Sequence, residues 1–306
     1  MNIVLLNWNG EEDTVECLES LKSVDYPDYD IYLVDNHSDN KSINSILNYL
    51  ENDSFYSHNL VEKDDLTNFV KEDDSNLVFI LNDSNAGFAG GNNVALNYIR
   101  DNISTAYVML LNNDTVITPD LVGGLVDKFN ESEGIGFVGA SHYYYHERDK
   151  IQTVGGGNID LVHGECIAVT VPGSQDEFDF LTGSCILTSC SILREVGVMY
   201  EGYFMYWEDV DWSTQVRNHG YKLKISDIGC IYHKEGASIK SLHRIYYHTR
   251  NRIWYMKRNT TGLMYYKFMI YIVLYVLKES VTNIHKNREY SQTLLRGYKD
   301  ALLKNK

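Results

Sequence analysis

The sequence has no CxxC pair and no zinc-ligand spacing. Its five cysteines (Cys17, Cys166, Cys185, Cys190 and Cys230) are odd in number. That argues against a secreted disulfide framework and for a reducing interior. No basic leader precedes the first apolar stretch, residues 3–6, so no signal peptide is expected and a cytoplasmic location is. Long apolar runs are also missing. The only membrane candidate, GLMYYKFMIYIVLYVLK (262–278), has ten unbroken apolar residues between Lys267 and Lys278. At about 1.5 Å per residue, such a helix covers roughly half of a ~30 Å hydrocarbon core and does not span it. There is no internal repeat and no low-complexity linker.

Basic residues are scarce in most of the chain and concentrated at its end. Residues 1–232 hold 12 Lys+Arg against 38 Asp+Glu, a net of −26. Residues 233–306 hold 15 against 4, a net of +11. The acidic body makes nucleic acid an unsuitable partner. The basic, Tyr- and Trp-rich tail suits an anionic membrane surface, and equally a basic helix that packs back on the body. The 262–278 segment suits the interface, through Tyr265, Tyr266, Tyr271 and Tyr275, or a buried or dimer-forming helix.

The 306 residues suffice for one large α/β domain with an appendage, and 44% hydrophobic content supports a packed core. Apolar strands at 3–6, 31–35, 77–82 and 106–112 alternate with helices at 12–23, at 42–50 and, opened by the stretch 85–93, through Arg100. This predicts a parallel, Rossmann-like sheet. Residues 51–76, dense in Asp, Glu, Asn and Ser, read as an acidic surface excursion. Residues 135–171 read as antiparallel or mixed strands, 206–219 as a helix stopped by Gly220, and the chain from Ser241 onward as helical.

The polar residues that follow the strands carry the candidate chemistry. In LLNNDTVITPD (110–120) a non-alternating buried strand ends in Asn112, Asn113 and Asp114. A carboxylate there sits where open α/β sheets bind ligands, although a strand-ending turn accounts for an isolated NND. Asp35 ends strand two, and Asn7 and Asn9 end strand one. Amides and a carboxylate at adjacent tips suit a nucleobase edge, while a turn cap explains Asp35 alone. NAGFAGGNN (85–93) reads as a Gly-rich loop that lets backbone approach a ligand, but it is not GxGxxG and lacks a P-loop Lys. YWEDVDW (206–212) sets Glu208, Asp209 and Asp211 at a helix start, as caps or as a general base. His233 follows a short apolar run, as a structural histidine or, with Asp114, as a ligand of a divalent metal.

Together NWNG (7–10), VDNHSD (34–39), NAGFAGGNN, LLNNDT (110–115), FLTGSCIL (180–187), WEDVDW (207–212) and HKEGAS (233–238) resemble, in order, the family 2 glycosyltransferases of the GT-A fold. The subgroup is similar to the rhamnosyltransferase and galactofuranosyltransferase type of cell-surface polysaccharide synthesis. The resemblance implies a catalytic domain over 1–240, with a nucleotide-sugar half (1–115) and an acceptor half (116–240), and a helical extension over 241–306. It implies that Asp35 binds the base of a UDP- or dTDP-sugar beside Asn7 and Asn9. Asn85, Gly87, Gly90, Gly91, Asn92 and Asn113 would line the donor pocket.

By the same resemblance, Asp114 is the metal-binding acid of a DxD motif whose first acid is here Asn112, with His233 a further ligand of Mn2+ or Mg2+. Asp209, beside Glu208, is the catalytic base. Thr182, Gly183 and Ser184 shape the side facing a glycan or lipid-linked acceptor. The implied reaction is a single in-line displacement with inversion. A sugar nucleotidyltransferase, releasing pyrophosphate, and a non-catalytic scaffold are the alternatives. A homodimer is compatible with either.

Overall fold

A computed structural model of the chain describes residues 1–72, 74–104, 106–234, 242–284 and 286–304. The first half alternates β1 (Asn2–Asn7), α1 (Glu11–Leu21), β2 (Asp30–Asp35), α2 (Asn40–Asn52), β3 (His58–Glu62), β4 (Leu77–Leu81), α3 (Gly87–Asn102) and β5 (Tyr107–Asn112). Then come β6 (Thr115–Ile117), α4 (Leu121–Asn130), β7 (Ile135–Tyr144), β8 (Ile151–Thr153), β9 (Gly156–Asp160), β10 (Glu165–Ala168), β11 (Phe180–Leu181), β12 (Cys185–Ser189), α5 (Cys190–Val196), α6 (Glu208–Asn218) and β13 (Lys222–His233). Three helices, α7 (Leu242–Asn259), α8 (Gly262–Asn283) and α9 (Arg288–Leu303), end the described chain.

The main sheet has the order β3-β4-β2-β1-β5-β12-β7-β13-β6, with β8 beside β7. Its first five strands are parallel. β12 is antiparallel to β5 and β7, β13 is parallel to β7, and β6 is antiparallel to β13. The small antiparallel sheet β10-β9-β11 stands apart. This is a mostly parallel GT-A sheet flanked by helices and followed by a helical region.

The non-alternating strands are explained by burial on both faces. Ile3 and Leu5 pack with Leu18, Leu21 and Ile46 on one side, and Val4 packs with Leu96, Ile99 and Leu110 on the other. A third apolar cluster joins Phe180, Trp207 and Val210 to Ile253, Tyr255, Phe268 and Leu294, fixing the carboxyl-terminal helices to the start of α6.

Two expectations are corrected. Residues 51–76 are not only a surface excursion: they contain β3 and a 3-10 turn, Lys63–Asn68. β3 is an edge strand with Val61 its one buried residue, so it carries no apolar run. The 85–93 stretch is not a loop, because α3 begins at Gly87. Residues 235–238 of HKEGAS, and Ser241, lie outside the described residues.

Candidate active site

The parallel register sets Asn7 opposite Asp35 at the carboxyl ends of β1 and β2. The Asn7 amide donates to Asp35 Oδ2 at 2.7 Å, and the Ser38 N–H donates to Oδ1 at 2.8 Å. Asn7 Oδ1 accepts from the Gly10 N–H and the Thr14 hydroxyl. Asn9, at a left-handed φ of 50°, accepts from the Asp39 N–H. Asn85 accepts from Asn36 and from the Gly87 N–H, while Asn113 donates to Thr14 Oγ1 at 2.8 Å. These polar residues therefore lace the strand tips together. Asp35 is only 1% exposed, and both its oxygens already accept protein hydrogen bonds. Beside it Trp8 leaves 57% of its surface exposed.

Gly90, Gly91 and Asn92 sit inside α3 and face protein. A Cβ at Gly91 would come within 2.6 Å of the Leu6 side chain, and one at Gly90 within 2.8 Å of Ala86. Asn92 is buried and donates to Phe88 O. Gly87 has φ +73°, and a Cβ there would lie 2.2 Å from the Phe204 carbonyl oxygen, so this helix start admits no side chain.

Asp114 and His233 meet through strand register. β6 and β13 pair His233 with Thr115, and the Lys234 N–H donates to the Asp114 carbonyl at 2.9 Å. Lys234 then ties this end of β13 to Asp13 and Glu16 of α1. His233 Nε2 lies 3.4 Å from Asp114 Oδ1, a buried oxygen with no hydrogen-bond partner. His233 Nδ1 is 2.9 Å from Gln152 Oε1. An Nδ1–H donated to that oxygen leaves the Nε2 lone pair turned toward a carboxylate oxygen. Two acceptors so placed fit a cation between them. Among the described residues no third His, Cys, Asp or Glu joins them.

The acid pair opens α6. Asp209 Oδ2 accepts from the Gly183 N–H at 2.9 Å, and Oδ1 from the Val210 N–H at 2.8 Å. A Cβ at Gly183 would sit 3.2 Å from Asp209 Cβ, so glycine is what lets the two approach closely. Burial pushes the Asp209 carboxyl above its ordinary value, against the pull of those two N–H groups. Glu208 is pushed up to about 8, by burial first and the Asp209 charge second, and its Oε2 has no partner. The two N–H groups favour the charged form of Asp209, whereas Glu208 has burial and a neighbouring charge against its own. Asp211 serves differently: it is buried and held by Asn259, Tyr203 and Arg258.

A cleft of about 520 Å3 has Asn112, Thr182, Gly183, Ser184, Glu208, Asp209 and His233 in its lining. Asp209 and His233 thus share one cavity, while Asp114 is not in its lining and reaches it through His233. The donor candidates Asn7, Asn9, Asp35, Asn85 and Asn113 are placed at the strand tips and not in that lining.

Residues 2–197 match the glycosyl transferase family 2 profile. The chain belongs to that family. It is 20% identical over 258 residues to the low-salt glycan biosynthesis hexosyltransferase Agl10 of Haloferax volcanii, covering 82% of this chain and 74% of Agl10. Its fold is similar to that of mannosyltransferase PcManGT of Pyrobaculum calidifontis, solved with GDP-Man and Mn2+. There the TM-score is 0.60 at 11% identity, over 100% of this chain and 87% of the other. It is also similar to Staphylococcus aureus TarS 1–349 in complex with UDP-GlcNAc, with TM-score 0.56 at 14% identity, over 98% and 80% of the two chains.

Several residues of this candidate site carry no local signal. His142 of β7, 1% exposed, donates from Nδ1 to Ala140 O at 2.8 Å and presents Nε2 to the Ser184 and Thr182 hydroxyls. Burial, then His233, pushes its pKa down to about 3, so it stays neutral. The β7–β12 pairing helps bring it to FLTGSCIL. Before α6, Phe204, Tyr206 and Trp207 all have left-handed φ (69°, 65° and 79°). Each such residue costs on the order of 1–3 kcal/mol, and such strain clusters at functional sites. Asn251 of α7 clamps the turn, donating to the Tyr203, Met205 and Tyr206 carbonyls at 2.8–3.0 Å. Trp8 had a signal in NWNG, an aromatic at a strand tip.

The raised Glu208 pKa has a consequence for stability. Between the ordinary carboxylate range and about 8, the folded chain holds a proton that the unfolded chain has lost. Stability therefore falls as pH rises through that window. Glu208→Gln removes the titration, so its stability relative to the parent should be several degrees better at pH 8 than at pH 5. In domains of roughly 150–250 residues, 1 kcal/mol is about 2–4 °C. Thermal unfolding of both proteins at the two pH values measures this. A difference independent of pH would contradict it.

Proposed function

We propose that this family member is an inverting glycosyltransferase of cell-surface polysaccharide synthesis. It moves a rhamnose-like, galactofuranose or related sugar from a UDP- or dTDP-sugar to a hydroxyl of a glycan or lipid-linked glycan. The observation that carries the reading is the single cleft shared by Asp209 and His233, with the unpartnered Asp114 oxygen behind His233. Asp209 takes the proton of the acceptor hydroxyl as that oxygen attacks the anomeric carbon. The bond to the diphosphate breaks with its electron pair, and configuration inverts. Gly183 aims the carboxylate, protonated Glu208 adds no second charge beside it, and His142 fixes Thr182 and Ser184 on the acceptor side. Trp8 offers a face for the base beside Asn9 and Asp35.

Asp114 and His233 suit Mn2+ or Mg2+, cations commonly held by few protein ligands together with substrate phosphates and water. When bound, the metal supplies Lewis-acid stabilisation of the leaving diphosphate. A panel of UDP-, dTDP- and GDP-sugars tests the reading. Release of nucleoside diphosphate supports it, and release of pyrophosphate from a sugar phosphate and nucleoside triphosphate would replace it with nucleotidyl transfer.

The same proposal places the enzyme peripherally at the inner face of a membrane. No helix among the described residues is long and apolar enough to cross one. α8 buries Phe268, Ile272 and Val276 against the body. Its other face carries Leu263, Tyr266, Ile270, Leu274, Leu277 and Val281, with Ile284 just beyond, all 51–71% exposed and spaced three or four apart. Lys267, Lys278, Lys286 and Arg288 are exposed along and just past it. Each cation near an anionic surface is worth about 1 kcal/mol, and the apolar stripe adds burial.

Full-length protein should float with anionic vesicles at low salt, and an Ile270→Asp/Leu274→Asp/Val281→Asp variant should not. Equal recovery of both in the unbound fraction, with the parent dimeric, would make the stripe a dimer face instead.

A further inference from the structure

The turn from Tyr203 to Trp207 leads into α6 and the base candidate Asp209. Phe204, Tyr206 and Trp207 hold left-handed φ of 69°, 65° and 79°, and none is glycine. A β-carbon disfavours that region, so each would relax to negative φ unless its surroundings over-determine it. Trp207 is itself the N-cap of α6 and makes no side-chain hydrogen bond to it. The direction in which α6 sets out, and with it the place of Asp209, therefore depends on what holds this turn.

The turn's carbonyls show where the hold comes from. Phe204 O accepts from the Phe88 N–H of α3 at 2.6 Å, and Trp207 O from the Asp211 N–H of α6 at 2.9 Å. The carbonyls of Tyr203, Met205 and Tyr206 all accept from the one amide nitrogen of Asn251. Asn251 is 0% exposed, and its Oδ1 accepts from Arg250 Nε at 2.8 Å, which turns the amide nitrogen to the turn. Arg250 also donates to the Tyr203 carbonyl at 2.6 Å and lies over the Trp254 ring at 4.2 Å. Rings of the same helix cover the left-handed residues. Tyr247 stacks on Phe204 at 5.3 Å, His248 on Tyr206 at 4.6 Å, and Tyr255 packs on Trp207 at 5.0 Å. Tyr247, Asn251 and Tyr255 are spaced four apart and so share one face of α7.

We propose that Asn251 is a positioning residue for the catalytic base, and that the catalytic unit therefore runs past residue 240 into α7. The inference rests on the reading of Asp209 as base. The Gly183 N–H reaches Asp209 Oδ2 from the turn between β11 and β12, so a shift of α6 parts the two. Without the Asn251 amide, three carbonyls lose their shared donor. The left-handed residues then gain by returning to negative φ, and the first turn of α6 moves with them. The tips of β1 and β2, where donor candidates sit, are braced by hydrogen bonds of their own.

The test is a double-mutant cycle in the full chain, with the nucleotide-sugar that the panel identifies. Binding of the matching nucleoside diphosphate counts the folded sites. Asn251→Ala should keep nucleoside diphosphate affinity near the parent's and lower turnover per site about 10- to 100-fold, the scale of an ångström-sized misplacement. In the Asp209→Asn background the same substitution should lose most of that effect, because the group it positions is gone. A loss of sites with parent-like turnover at each would make Asn251 merely structural and overturn the proposal. So would an undiminished effect in the Asp209→Asn background, since Asn251 would then act apart from the base. If Asn251→Ala does not fold, Tyr247→Leu removes the ring on Phe204 and leaves the amide in place. It should give a smaller loss of turnover with the same dependence on Asp209. Parent-like turnover in Asp209→Asn alone would be a failure of the base reading, seen before Asn251 is changed, and would leave Asn251 with nothing to position.

Discussion

Asp209→Asn should bind donor nearly as the parent does and turn over about 10²–10⁴ times more slowly, the usual worth of a positioned general base. The substitution preserves shape, and an amide oxygen can still accept from the Gly183 or Val210 N–H. What it removes is the proton acceptor. The raised Asp209 pKa sets the acid side of the pH profile: activity falls as pH drops through it, because the protonated carboxyl cannot act as base. The fall should therefore begin above the ordinary aspartate range. Initial rates across pH, with donor affinity measured separately, check both statements. Parent-like turnover in Asp209→Asn would remove this residue from the chemistry.

Chelation should abolish transfer, and Mn2+ or Mg2+ should restore it. Asp114→Asn and His233→Ala should each lower turnover by about 10² or more, since such stabilisation is worth several kcal/mol and each ~1.4 kcal/mol is tenfold. A readout apart from activity is thermal: Mn2+ added with nucleoside diphosphate should raise the melting temperature of the parent and not of Asp114→Asn. With Asn112 where a second acid would stand, the affinity should be modest. Full activity in excess chelator would mean that the diphosphate is neutralised by protein cations.

The parallel half of the fold was legible because its strands are covered on both faces and end in polar residues. Strands 3–6, 31–35 and 108–111 read as apolar runs for that reason. β3 was not legible, since an edge strand with one buried residue leaves no pattern. The start of α3 was missed because its N-terminus has no side-chain cap and three glycines, and its geometry is set by the distant Phe204 carbonyl.

In the site, the meeting of Asp114 with His233 was anticipated, and strand register explains it. The strand-tip asparagines were anticipated as donor ligands, yet the structure shows them first as braces between tips. His142 and Asn251 were invisible, because their importance lies in pairings across tens of residues. α8 looked like one apolar helix, and its division into an inward face and an outward stripe needed the packing of α7 and α9.

The most direct test of the account is a proton NMR time course of the transfer reaction, run with whichever nucleotide-sugar the panel identifies. A single displacement with Asp209 as base predicts that the donor's anomeric signal is replaced by a glycoside of the opposite configuration, from the first turnover onward. A product that keeps the donor's configuration would contradict it.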